Sequence, residues 1–198
     1  MTEHPTKERI LEGAESLMLE KSFHSVGINE ILKAVSIPKG SFYHHFESKE
    51  QFGVELIKHY SASAIAHKRQ FLLSAELDAN PRSRLLTYLE SNITCFVENR
   101  GKCACLIIKL ASEVANFSEP MRQAMAESRC GEWAQITEQV LREGIDKKTI
   151  AALDDPADNA QLIDILWMGA LLEGIITRKV EPLRLAINHI GETLAPAP

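Results

Sequence analysis

The chain has 198 residues, 45% of them apolar and 25% charged, with a formal net charge of −5 at pH 7. That is enough apolar material for a buried core and enough length for one large or two smaller domains, and the acidic balance argues against a general nucleic-acid coat while leaving room for a sequence-specific binder with a local basic surface. No run of about 18 apolar residues occurs, the N-terminal MTEHPTKERILEGAE has no apolar stretch of signal-peptide type, and the four cysteines lack disulfide-scaffold spacing, so a cytoplasmic protein is expected, with no membrane partner.

Nearly every segment has helical period, and none has β period. Residues 6–21 put Ile10, Leu11, Ala14, Leu17 and Met18 on one stripe behind Thr6 as N-cap, and Phe23 closes the unit. A short helix follows over 27–35, with Ile28, Ile31, Leu32 and Val35 inward. It must end before Pro38, which disfavours helix at the preceding residue and suits the first turn of the next. That next helix is predicted over 39–45, and a longer one over 49–73. The polar AELDANP (75–81) reads as a linker. Beyond it helices are predicted over 82–99, 102–115, 119–144, 156–178 and 182–194, punctuated by Gly101, Pro120, Asp154-Asp155-Pro156 and Pro182. The expected fold is all-α, with about nine helices: a small head over 1–48 and a larger helical bundle over 49–198, with 49–73 connecting.

The helix over 156–178 is apolar almost all round, through Leu162, Ile163, Ile165, Leu166, Trp167, Met168, Ala170, Leu171, Leu172, Ile175 and Ile176. Such a helix must be covered on every side. Either it is the central helix of a monomer, or one side meets its own bundle and the other a second copy, which makes a homodimer. The last helix adds Leu183, Ala186, Ile187, Ile190 and Leu194.

Two short helices joined by a tight turn and supported by a preceding helix form a helix-turn-helix, whose second member enters the major groove. Residues 33–49 are locally basic: Lys33, Lys39 and Lys49, with His44 and His45, face Glu47 alone. Lys39, Gly40 and Ser41 start the second helix, where backbone N–H groups attract phosphate, glycine allows close approach, and Lys and Ser donate hydrogen bonds. Tyr43 and His44 project further along, and Lys49 opens the next helix within reach of a phosphate. Phe42 and Phe46, four apart, should pin the helix to its core. Tyr43 and His45 also admit a packing role, and Lys33 a solvated one.

The string PKGSFYHHFESKEQF (38–52) closely resembles the recognition segment of the TetR family, and SVGINEILKAVSI (25–37) resembles the helix before it. The resemblance implies a dimeric, all-helical transcriptional repressor in which each subunit has a DNA-binding head and a ligand-sensing body, and it puts operator contacts at Lys39, Gly40, Ser41, Tyr43, His44 and Lys49. Many members have Thr or Ser where this chain has Val26-Gly27, so a cap and a phosphate-binding hydroxyl are missing, although glycine is itself an acceptable N-cap.

The cysteines are Cys95, Cys103, Cys105 and Cys130, with no His or Asp at zinc-like spacing; no metal and no cofactor are expected. In a helix from 102, Cys103 shares the core stripe of Ile107, Leu110, Ala111 and Val114, while Cys105 points the other way, near Ile108, Lys109 and Ser112. The first helical turn and Lys109 one turn on both favour a thiolate, the reactive form. Cys105 is thus the candidate sensor, with an inert core thiol as the competing reading; Cys95 and Cys130 are candidate resolving partners. The segments CLIIKLASEV (105–114), LWMGALLEGIITRKVEPL (166–183) and FGVELIKHY (52–60) resemble the TetR-family branch of N-ethylmaleimide-reductase regulators, and a branch governing acrylate use shares the Cys-Leu pair. That likeness implies a reactive electrophile, a hypochlorite-type oxidant or an unsaturated small acid acting at Cys105. The electrophile-sensing branch can carry a lysine partner for that thiol in the late apolar helix, where this chain has Ile175, so thiol modification is expected without an amine crosslink.

His59, Tyr60, Phe96, Trp133 and Trp167 either line a ligand pocket or are plain core. A TetR-type regulator with a noncovalent inducer, an aromatic, fatty or unsaturated small acid, is the main alternative, and activation rather than repression stays open. An enzyme using Cys105 as nucleophile lacks any His-Asp or Asn constellation and leaves the helix-turn-helix unexplained. The expected partners are operator double-stranded DNA, a second copy and a small-molecule inducer or oxidant.

Overall fold

A computed structural model describes residues 6–74, 80–101 and 105–196, with the backbone alone at position 130. Among the described residues every regular element is helical, in ten α-helices: α1 (Thr6–Glu20), α2 (Ile28–Ala34), α3 (Lys39–His45), α4 (Lys49–Leu73), α5 (Pro81–Glu98), α6 (Leu106–Val114), α7 (Glu119–Ser128), α8 (Ala134–Asp146), α9 (Pro156–Thr177) and α10 (Glu181–Thr193). A π-helical turn, Arg129–Trp133, lies between α7 and α8.

The chain divides into two compact units. The first comprises residues 1–63 and 105–128, so α6 and α7 pack with the N-terminal helices. Its core holds the α1 stripe Ile10, Leu11, Ala14 and Met18, together with Phe42, Phe46, Phe52, Leu106 and Leu110, all buried. The turn between α2 and α3 is a Schellman-type close. Ile37 N–H donates to Leu32 O at 3.0 Å and Ser36 N–H to Lys33 O at 3.3 Å, with Ser36 in the left-handed region at φ 54°. Pro38 then caps α3 from an extended conformation.

The second unit comprises residues 64–104 and 129–198. Its core includes Leu85, Leu89, Phe96, Ile136, Val140, Ile163, Trp167, Leu183 and Ile190. Asn80 caps α5 by accepting from Ser83 N–H at 3.2 Å, and Asp155 caps α9 by accepting from Ala157 N–H at 2.8 Å; each precedes a proline in the first turn.

The structure revises the expected elements in two places. The single helix expected over 119–144 is broken at Gly131, whose φ of −95° and ψ of −125° are not helical, a backbone state open to a residue without Cβ. The helix expected from 102 starts at Leu106, with Cys105 as its N-cap; residues 102–104, and with them the expectation for Cys103, lie outside the described residues, as do 75–79 of the expected linker.

By length and composition α9 is the one helix, among the described residues, that could cross a membrane. Its Ala160, Ile163, Trp167 and Gly174 are buried, and it packs against α8 and α10. Leu162, Ile165, Leu172 and Ile176 form an exposed stripe on one side, and Leu185 of α10 is exposed as well.

A buried cation ties this unit together. Lys68 Nζ donates to Trp133 O at 2.9 Å, to Thr137 Oγ1 at 2.7 Å and to Asp164 Oδ1 at 3.2 Å, and lies 4.3 Å from the centroid of the Trp133 ring. Burial pushes Lys68 down to about 8 against the pull of Asp164, and burial pushes Asp164 up. Removing one partner of a buried pair leaves an uncompensated charge. Lys68→Met is therefore expected to lower unfolding free energy by about 3–5 kcal/mol in a urea titration, and Lys68→Met with Asp164→Leu to regain most of it. A double variant as unstable as the single one would show that packing at Lys68, not charge, matters.

Candidate nucleic-acid interface and sensor cysteine

Seven residues of α3 carry both an anchor and an outer face. Phe42 is fully buried against Phe46 and Phe52, with ring centroids 5.0 and 5.5 Å away. With Phe42 inward, Lys39, Gly40, Tyr43 and His44 face out; Ser41 and His45 are half-buried. Tyr43 is 54% exposed. A Cβ built on Gly40 meets nothing within 4 Å, so the space beside that backbone is open. The His44 and His45 rings stand edge to face at 5.0 Å. Lys33 is exposed on α2.

Lys49 is engaged within the protein. Its Nζ donates to His24 O at 3.3 Å and sits 4.9 Å over the Phe23 ring, and partial burial lowers its pKa. The loop it touches leads into α2, whose N-cap Gly27 makes no side-chain capping bond. The same loop is held by Glu113, which sequence reasoning missed: its Oε2 accepts from Phe23 N–H at 2.7 Å and from the Ser22 hydroxyl at 3.0 Å. About 90 residues separate these partners, and nothing local signals the pairing.

Cys105, half-buried and outside any disulfide, caps α6 with φ −110° and ψ 110°. Its carbonyl accepts from Lys109 N–H at 3.1 Å, and Lys109 is half-buried one turn on. Tyr60, from α4, shares a side-chain hydrogen bond with Cys105 and accepts the Leu106 backbone N–H. Burial first, then the neighbouring Cys105, raises the Tyr60 pKa strongly, so the phenol keeps its proton and is a donor to the sulfur. His59, beside Tyr60, has Nε2 3.7 Å from Glu15 Oε1 of α1; burial raises the Glu15 pKa and His59 opposes it. Cys105, Tyr60 and His59 thus belong to the first unit.

The other aromatic candidates belong to the second unit. Phe96 and Trp167 are buried core, Trp133 is half-buried against Lys68, and Ile175 packs at the edge of that core. Cys95 is exposed on α5, with Asn99 Nδ2 3.4 Å from its sulfur; the Cys130 side chain lies outside the described residues. No group of three or more His, Cys, Asp or Glu that could hold a metal occurs among the described residues.

Residues 10–56 match the family model for bacterial regulatory proteins of the tetR family, and residues 81–190 the model for a tetracyclin repressor-like C-terminal domain. The chain is 37% identical over 195 residues to the HTH-type transcriptional repressor NemR of Escherichia coli, covering 98% of this chain and 96% of that protein. It is 34% identical over 183 residues to the transcriptional regulator AcuR of Cereibacter sphaeroides, covering 92% and 81%. The crystal structure of the reduced form of E. coli NemR superposes with a TM-score of 0.86 at 34% identity, covering 97% and 98% of the two chains. The chain belongs to the TetR family. It is a helix-turn-helix transcriptional repressor and not an enzyme. Regulators of this family bind operator DNA, act as dimers and respond to small molecules.

The absent cap at Gly27 can be tested directly. Its φ is −80° and ψ 151°, and an added Cβ meets nothing within 4 Å, so a serine fits without strain. Gly27→Ser is expected to raise stability by roughly 0.5–1 kcal/mol, from the new cap and the stiffer unfolded chain. Differential scanning calorimetry should register this as a Tm increase of a few degrees. A lower Tm would mean that the serine does not cap α2.

Proposed function

We propose that the chain is a cytoplasmic homodimer that grips a near-palindromic operator through two α3 helices and is released when a reactive electrophile or oxidant modifies Cys105. In this reading residues 1–48 form the DNA-binding domain, and residues 49–198 sense the inducer and dimerise. The apolar stripe of α9 with Leu185 of α10 meets its equivalent on the second copy. Two α3 helices then enter successive major grooves, about 34–36 Å apart.

The outward set on α3 supports the DNA contacts: Lys39, Gly40, Ser41, Tyr43 and His44 lie on or beside the face that Phe42 leaves free. Lys49 contributes by holding the α1–α2 loop, and in this reading the same ammonium also meets a backbone phosphate. The observation that carries the sensor reading is Cys105 itself. It is a half-buried thiol at the start of α6, in no disulfide, with a protonated phenol beside it. Its position at a helix start and beside a hydrogen-bond donor suits a thiolate nucleophile. The relative solved in a reduced form supports an oxidisable group in this branch. Modification favours a state of lower operator affinity, and it does so only to the extent that the two states accept the modified thiol unequally.

Two experiments test this reading. Lys39→Gln is expected to weaken binding to all duplexes similarly and to flatten the dependence of log K on log salt by about one unit for each phosphate that is no longer neutralised, about two for a dimer. An unchanged slope would remove Lys39 from the interface. Gel shifts of the purified protein on the DNA upstream of its own gene, at fixed salt, should show binding abolished by N-ethylmaleimide or hypochlorite in the native protein but kept in Cys105→Ser. Binding indifferent to both reagents would overturn the thiol reading in favour of a noncovalent small acid, and absence of specific binding would count against this operator.

A further inference from the structure

The loop between α1 and α2 is gripped at three successive residues by the far end of α6. Glu113 Oε2 accepts both the Phe23 N–H and the Ser22 hydroxyl, at 2.7 and 3.0 Å. The Glu113 carbonyl lies 3.1 Å from His24 Nε2. Phe117, just past the end of α6, meets the His24 ring edge to face at 6.0 Å. On the inner side Phe23 and Val26 are buried in the core of the same unit, so the loop is fixed on both sides. α2 begins at Ile28, two residues beyond Val26, and Gly27 gives it no side-chain cap. The start of α2 therefore takes its position from this loop rather than from a cap of its own.

Cys105 and Glu113 mark the two ends of one short rod. α6 has nine residues, about 13 Å at 1.5 Å per residue. Its inner face, Leu106, Leu110 and Val114, is buried, so α6 shifts as a body rather than bending locally. A thiol that adds to the double bond of a maleimide forms one sulfur–carbon bond, its proton ends on the neighbouring carbon, and nothing leaves. The product is a bulky group where Cys105 was half-buried against Tyr60, next to the fully buried Leu106. The start of α6 must move to accommodate it, and Glu113 moves with the other end.

We propose that Glu113 is a positioning residue for the DNA-binding head, through which α6 sets the α1–α2 loop and the start of α2. The direction of signalling rests on the reading of Cys105 as the sensor; the grip on the loop does not. Lys49, which donates to His24 O from α4, is a second tie on the same loop. A carboxylate accepting a backbone N–H and a hydroxyl is a strong, directional contact, so its loss is read mainly at the head.

The test is a fluorescence-anisotropy titration of the full-length protein onto a duplex that the native protein has selected from random-sequence DNA, at fixed salt, before and after N-ethylmaleimide. Glu113→Ala should bind about tenfold more weakly before treatment, the equivalent of one charge-assisted hydrogen bond, and lose further affinity on treatment far less than the native protein does. Glu113→Gln, whose amide oxygen still accepts the Phe23 N–H, should recover most of the untreated affinity. A lesion that was only structural would lower the melting temperature and leave the ratio of treated to untreated affinity unchanged. Native values in both Glu113→Ala titrations would overturn the proposal. Should Glu113→Ala fold poorly, Ser22→Ala removes one donor from the other side and must shift the untreated affinity in the same direction; no shift would overturn it equally. Native protein that ignores N-ethylmaleimide would defeat the sensor reading alone, because the untreated affinity of Glu113→Ala still decides whether the grip positions the head.

Discussion

A helix of seven residues cannot hold itself together in water, because the first turn costs more in fixed dihedrals than its few hydrogen bonds return. α3 is that short, so its neighbours must supply its order. They do so at three points: the left-handed Ser36 that ends α2, Pro38 that starts α3, and the packing of Phe42 against Phe46 and Phe52. The phenylalanine cluster joins α3 to the first turn of α4, since Phe52 lies three residues after Lys49. Everything the head offers to DNA follows from it. With Phe42 held inward, Lys39, Gly40, Tyr43 and His44 face out as a matter of helical geometry.

The second unit answers a different constraint, a long helix with too little polar surface. α9 buries Ile163 and Trp167 within its own unit and leaves Leu162, Ile165, Leu172 and Ile176 uncovered. A face of that kind is costly in water, and in the proposed homodimer it meets its equivalent on the second copy. The inner side of the same helix carries Asp164, neutralised by Lys68, whose other hydrogen bonds go to Trp133 O and Thr137 Oγ1. Burying a lysine is expensive unless its donors and its charge are both met, and here three hydrogen bonds meet them. The kink at Gly131 lies two residues before Trp133, the residue whose carbonyl accepts from Lys68.

What was legible in the sequence was local. The α1 stripe, the stop at Pro38 and the inward phenylalanines all depend on residues within a few turns of one another, and the likeness of residues 38–52 to the TetR recognition segment added the function to the fold. The late helices were legible in the same way, from the linker that ends at Pro81, the Asp154-Asp155-Pro156 cluster and Pro182. What was not legible depends on distant pairs. Lys68 reads in sequence as one more solvated lysine, and only Thr137, Asp164 and Trp133, 65 to 96 residues away, make it a core residue. Lys49 looked free for a phosphate, but the α1–α2 loop engages it. Residues 105–128 look in sequence like part of the bundle, yet they pack with the N-terminal helices. Helical period carries no information about which unit a helix joins.

That last placement matters for how a modified thiol would act on DNA. Cys105, Tyr60, His59 and Glu15 of α1 lie in one compact unit with the whole helix-turn-helix. Covalent change at the start of α6 therefore meets two routes to the head within that unit, one through Tyr60 and α4, the other through the length of α6 to Glu113. Both end on the elements that set α2 and α3, the loop before α2 and the first turn of α4. Packed interiors respond to an added group by switching between discrete arrangements rather than by yielding gradually. A half-buried thiol against fully buried neighbours is thus a better trigger than an exposed one such as Cys95, whose modification would find room in solvent and leave the packing as it was.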